Sequence, residues 1–220
     1  MTFSQDMKPL AECQLYAFVD TAYLHGRTPE VVAQQLCDGG ADLIQLRAKE
    51  CSLEQIRSMT EAILPITCAA GVGLVINDHL SIASEFGAEF CHLGQEDFFD
   101  SGHSHTREIR NPNSKIRIGL STHAPGQAER ALKAEPDYIA IGPVFETATK
   151  PGAKAVTLDY VRWAAAHVTI PWFAIGGINL NNIGQVIEAG ARRICVVSAI
   201  LNAENISNAC LEFKLRLRDA

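Results

Sequence analysis

Short apolar runs recur along the chain, each followed by a polar or glycine-bearing turn and then by a longer stretch with helix start and stop signals. The first run covers residues 15–19. Thr28-Pro29-Glu30 then opens a helix with a cap, a proline at the first helical position and an early acid, and Gly39-Gly40 ends it. A second run covers 43–46, and Ser52 with Gln55 has capping-box spacing for the next helix. A third ends in Asn77 and Asp78, a helix-sized segment carries the chain to Gly87, and a fourth ends just before Asp97. Residues 115–120 pass from charged and apolar alternation to an apolar end, a fifth strand, and 124–134 supply a helix. Strands over 138–141, 172–175 and 194–197, helices over 157–166 and 183–189, and a terminal helix of roughly ten residues complete the series.

Eight alternations in 220 residues point to an α/β protein with a closed (β/α)8 TIM barrel, more than to an open doubly wound sheet. The expected organisation is one domain over 1–220, with 1–13 a loosely ordered N-terminal extension. Helix-length crossovers force consecutive strands to be parallel, so all strand C-termini meet at one mouth. Residues just past the strand ends therefore share one space and can act together.

Hydrophobic residues make up 47% of the chain, enough for one sizeable core. Cysteines at 13, 37, 51, 68, 91, 195 and 210 show no paired spacing and read as reduced thiols in a cytosol. A formal charge of −6 argues against a broad nucleic-acid face. No run approaches bilayer-crossing length, and the N-terminus has no long apolar core. A cytoplasmic protein without nucleic-acid or membrane partners is expected.

Asp78 and Asp97, with the amide of Asn77 beside them, form a seat for a hard divalent cation if both leave neighbouring parallel strands. Each could instead cap the helix or turn that comes next. Arg47, Lys49 and Lys150 lie on two loops of an otherwise acidic chain. Singly each reads as a surface charge; facing a cation together, they would clamp a diphosphate. Gly176-Gly177 and Val197-Ser198 follow the last two strands, where barrels commonly hold a phosphate, the alternative being turn glycines and a capping serine. Two anion sites imply two phosphorylated small-molecule substrates. His123, beside Ser121, is either a proton carrier or a hydrogen-bonding partner of its loop. His92, inside a strand, reads as a core or ladder residue. His103 and His105 have ligand-like spacing, but they lie in a Gly- and Ser-containing connection over 99–106 that reads as mobile and offers no third ligand. Nucleophile-elbow, P-loop and dinucleotide motifs are absent.

Taken in order, Gln45-Leu-Arg-Ala-Lys49, Ile76-Asn-Asp78, His92-Leu-Gly-Gln-Glu-Asp97, Gly119-Leu-Ser-Thr-His123, Gly142-Pro-Val-Phe-Glu-Thr-Ala-Thr-Lys150, Ala174-Ile-Gly-Gly-Ile178 and Val197-Ser-Ala-Ile200 resemble the thiamine phosphate synthase family. The resemblance implies a Mg²⁺-assisted dissociative transfer of a hydroxymethylpyrimidine diphosphate to a thiazole phosphate, giving thiamine phosphate and pyrophosphate. It carries the pyrimidine diphosphate site onto Gln45, Leu46, Arg47, Ala48, Lys49, Asn77, Ser121 and Lys150, with Arg47, Lys49, Ser121 and Lys150 as the catalytic set. It places a single Mg²⁺ per subunit on Asp78 and Asp97, and the thiazole phosphate on Thr147, Ala148, Thr149, Gly177, Val197 and Ser198. The chain departs from the family at Ala48, where Glu is common, and at Glu146, where Pro is usual. Two other readings stand beside it: a thiazole tautomerase on the same barrel using a histidine where His123 stands, and a non-catalytic thiamine or thiazole phosphate-binding regulator. The complete clamp favours the synthase. A homo-oligomer is left open.

Overall fold

The computed structural model describes residues 7–111, 114–147 and 155–218. Strands β1 (Leu15–Asp20), β2 (Leu43–Arg47), β3 (Gly73–Asn77), β4 (Phe90–Gly94), β5 (Arg117–Thr122), β6 (Tyr138–Ile141), β7 (Trp172–Ile175) and β8 (Ile194–Cys195) pair in chain order, all parallel, and β8 closes on β1. Outside them lie α1 (Pro29–Asp38), α2 (Leu53–Ala70), α3 (Leu80–Phe86), α4 (Gln95–Asp100), α5 (Pro125–Lys133), α6 (Thr157–His167), α7 (Ile183–Glu188), α8 (Ser198–Leu201) and α9 (Ile206–Arg218). This is the expected (β/α)8 barrel. Strands covered on both faces carry long apolar stretches, β1 as far as Val19 and β6 throughout, which is why they appear as unbroken runs and not as alternating ones.

The helix starts follow the local signals. Val31 N–H donates to Thr28 Oγ1, and the Ser52–Gln55 box is closed in both directions at 2.8 and 3.2 Å. The last strand is shorter than expected, Ile194–Cys195, with Val197 at the N-terminus of α8, and two further segments differ from the sequence-based expectation. The fourth strand stops at Gly94, and Asp97 lies in the first turn of α4, where Glu96 and Asp97 complement the helix N-terminus. The 99–106 connection is anchored: Thr106 is buried, its N–H donates to Ala134 O and its hydroxyl to Glu135 O. Within the N-terminal segment, Leu10 and Cys13 are buried against the barrel.

At the bottom of the barrel three acids satisfy strand-start N–H groups. Asp42 accepts from Gln14 and Leu15, Glu89 from Leu74, and Asp137 from Ile118. Asp42 also binds Lys214 of α9 and lies 3.4 Å from Lys8, so it ties the N-terminal segment, β1 and the last helix together.

The barrel interior is filled by aromatic rings. Tyr138 meets Tyr16, Phe90 and Phe173 edge to face at centroid distances of 6.1, 6.2 and 5.7 Å. Its partner in register, Gly119, makes room for it, since a Cβ there would lie 2.1 Å from Tyr138 Cζ. Gly119→Ala is therefore expected to destabilise the fold by about 1–3 kcal/mol through overpacking. Chemical denaturation would read this as a lower midpoint; an unchanged midpoint would mean that the ring has room to move.

Candidate active site

All eight strands, or the loops after them, contribute to a cavity of about 220 Å³ at the C-terminal mouth. Its floor is a polar chain inside the barrel. Gln45 Nε2 donates to Tyr16 Oη, Tyr16 Oη lies 3.2 Å from Tyr138 Oη, and Tyr138 Oη lies 3.2 Å from His92 Nδ1. A hydroxyl donates once and can accept twice, so the Tyr16–Tyr138 and Tyr138–His92 contacts can each run in either direction. Burial pushes His92 down to about 4 and holds both tyrosines well above the ordinary phenol value, so every member is neutral at pH 7. The sequence placed His92 in a strand correctly but missed that it also walls the cavity.

On one side of the mouth the acids and cations converge. Asp78 follows β3 with a left-handed backbone, φ +63°, a conformation that Asp tolerates better than most residues. Its Oδ2 accepts from Asn77 Nδ2 at 2.6 Å and lies 3.8 Å from Lys49 Nζ. Asp97 turns back from α4 over Gly94, where a Cβ would stand 2.7 Å from Asp97 Oδ2. Gly94 thus lets a helix-borne carboxylate reach a strand end. Both acids line the same cavity, with Arg47, Lys49, Asn77 and Ser121.

Across the barrel lie the loops after β6, β7 and β8. Val144 and Phe145 N–H donate to Ile175 O and Gly176 O at 2.8 and 3.0 Å, laying one loop against the next. Gly176 (φ +104°) and Gly177 (φ +65°) permit this, because a Cβ would meet Pro143 at 2.3 Å and Glu146 O at 2.6 Å respectively. The close backbone approach that the glycine pair allows is thus first an approach between loops, and Gly177 still lines the cavity with Thr147, Val197 and Ser198.

His123 donates its Nδ1 proton to Gly142 O, and its backbone N–H donates to Gln127 Oε1 at 2.7 Å. The loop-bonding role is thus displayed, and His123 also lines the cavity. Leu46 and Ala48 are buried and are not among the lining residues; on β2 the side chains alternate, and Gln45 and Arg47 take the inward positions. Glu146 is exposed and also outside the lining. Ala148, Thr149 and Lys150 lie outside the described residues. His103 faces Glu108 at 3.7 Å, and among the described residues no group of three or more His, Cys, Asp or Glu could hold a metal by itself.

The family model described as thiamine monophosphate synthase matches residues 15–200. A thiamine-phosphate synthase of Thermus thermophilus is 44% identical over 180 residues, covering 81% of this chain and 84% of its own. One from Acidothermus cellulolyticus is 39% identical over 214 residues, with 96% and 98% covered. Among solved structures, a thiamine phosphate pyrophosphorylase from Pyrococcus furiosus superposes with a TM-score of 0.80 at 24% identity, over 96% of this chain and 98% of that one.

Proposed function

Because this chain belongs to the thiamine monophosphate synthase family and is an enzyme of that type, we propose that it joins a hydroxymethylpyrimidine diphosphate to a thiazole phosphate, giving thiamine phosphate and pyrophosphate. The observation that carries this reading is the two-sided mouth. Arg47, Lys49, Asn77, Asp78, Asp97 and Ser121 gather on one side of the cavity, and Thr147, Gly177, Val197 and Ser198 on the other. A diphosphate fits the first side and a monophosphate the second, with the two rings meeting between them. The neutral floor suits an aminopyrimidine: the Gln45 amide and the His92 imidazole line the cavity as polar groups without a charge that would need a counter-ion.

The donor set fits Mg²⁺. Two hard carboxylates, with no closed cage of such ligands among the described residues, match a cation that takes one or two carboxylates and completes its shell with water and substrate phosphate oxygens. Asp78 and Asp97 would hold it, and when bound it neutralises charge on a departing diphosphate.

The chain's own residues then have defined tasks. Arg47 and Lys49 take up negative charge as the bond from the pyrimidine methylene carbon to the diphosphate oxygen breaks. Lys150 adds a further cation in the same reading. The thiazole nitrogen closes the new bond to that carbon with a lone pair it already carries, so no side chain has to remove a proton to create the nucleophile. Positioning and charge stabilisation are what this pocket has to supply.

With both substrates and Mg²⁺, thiamine phosphate and pyrophosphate are expected in equal amounts, and a chelator should abolish both. Product identification by mass alongside a coupled pyrophosphate assay checks this. Isomerisation of the thiazole phosphate alone, with no pyrophosphate released, would overturn the synthase reading in favour of a tautomerase.

A further inference from the structure

Asp20 ends β1 in register with Arg47, which ends β2, and its side chain is 1% exposed. A carboxylate buried that deeply is costly unless both oxygens are engaged. Here they are: Oδ2 accepts from Arg47 Nη1 at 2.7 Å, and Oδ1 from Ala22 N–H at 3.0 Å. Arg47 lines the cavity and Asp20 does not, so the carboxylate grips the guanidinium from behind. This contact uses one of the five N–H donors that an arginine carries.

We propose that Asp20 is a positioning residue that holds the Arg47 guanidinium in the orientation that receives the diphosphate, an inference that rests on the placement of the diphosphate argued above. The physical case is one of opposing signs. As a bare charge near an anion site, Asp20 lowers affinity for a diphosphate. As a tether, it removes the rotamer freedom that a long arginine would otherwise lose on binding and leaves the remaining N–H groups for the ligand. The burial and the full hydrogen bonding of Asp20 mark the tether as the larger effect. A carboxylate acting only as a cap for residues 21–23 would not need a cavity-lining arginine as its partner.

The test is calorimetric titration of the full-length protein with inorganic pyrophosphate and Mg²⁺, using wild type, Asp20→Asn, Arg47→Ala and the double variant. Asp20→Asn is expected to weaken binding about tenfold, the usual range for a supporting residue behind a ligand-binding one. Arg47→Ala should weaken it at least as much, and the double variant no further than Arg47→Ala alone. In steady state, Asp20→Asn should raise KM for the pyrimidine diphosphate and leave KM for the thiazole phosphate unchanged, a split that a general structural defect would not produce. Unchanged or tighter pyrophosphate binding by Asp20→Asn, with Arg47→Ala impaired, overturns the tether. Arg47→Ala binding like wild type overturns the placement of the diphosphate itself, and the tether with it. Should Asp20→Asn fail to fold, Arg47→Lys poses the same question, since it keeps the charge and loses the fork; wild-type affinity in that variant overturns the proposal.

Discussion

Asp78→Asn is expected to fold like the wild type and to lose about 10²- to 10³-fold in turnover, the scale seen when a group aimed at developing charge is removed. Asn suits the left-handed backbone at this position at least as well as Asp, so the +63° φ costs nothing extra. Its side-chain oxygen can still accept from Asn77. What disappears is the negative charge that faces Lys49 and the proposed cation. Pyrophosphate release measured over a range of Mg²⁺ concentrations checks this: the half-saturating concentration should rise, and added Mg²⁺ should recover part of the rate. A wild-type rate at limiting Mg²⁺, from a protein with an unchanged melting temperature, would remove Asp78 from the cation site.

Asp42→Ala is expected to leave the site chemistry intact and to cost about 3–5 kcal/mol of stability, the range for breaking a buried pair from one side. Lys214 and Asp42 are 8% and 9% exposed, so the variant strands a lysine charge and two backbone N–H donors together. At about 2–4 °C per kcal/mol for a chain of this size, the melting temperature should fall by roughly 10 °C. The loss should also depend on pH. Burial pushes the Asp42 carboxyl up, but the hydrogen bond from Lys214 and those from Leu15 and Gln14 outweigh it, and the net value lies below the ordinary one. The stabilisation is therefore fully present above the unfolded carboxyl value, roughly 3.9, and fades as pH falls through the folded one. The gap in melting temperature between wild type and variant should stay constant from neutrality down to about pH 4 and narrow below it. A gap that widened on acidification would contradict the sign of this linkage.

These two acids mark the two ends of the barrel, and they were not equally visible in the sequence. Asp78 stands out because it comes after an apolar run that ends in Asn77, a local pattern that places it at a strand terminus and hence at the mouth. Asp42 precedes an apolar run and reads as an ordinary turn residue. Its importance comes from Lys214, 172 positions away, which no local pattern connects to it. Asp97 is an intermediate case. Its place near the mouth was legible, but its position on a helix was not, because Gly94 both ends β4 and clears the path for the carboxylate.

By itself the sequence determined the eight strand–helix alternations, the capped starts of α1 and α2, and the approach of Arg47, Lys49, Asp78 and Asp97 to one mouth, because each of these is written in spacings of a few residues. Tertiary structure alone decided the rest: the Gln45, Tyr16, Tyr138 and His92 floor, the Asp20 grip on Arg47, the loop-to-loop contact at Gly176 and Gly177, and the closure at Asp42. Tyr16 and Tyr138 lie 122 residues apart and touch only because β1 and β6 curve around the same axis. Contacts of that kind depend on which side chain a neighbouring glycine leaves room for and on how the ring of strands closes, and neither is encoded in the order of residues along one strand.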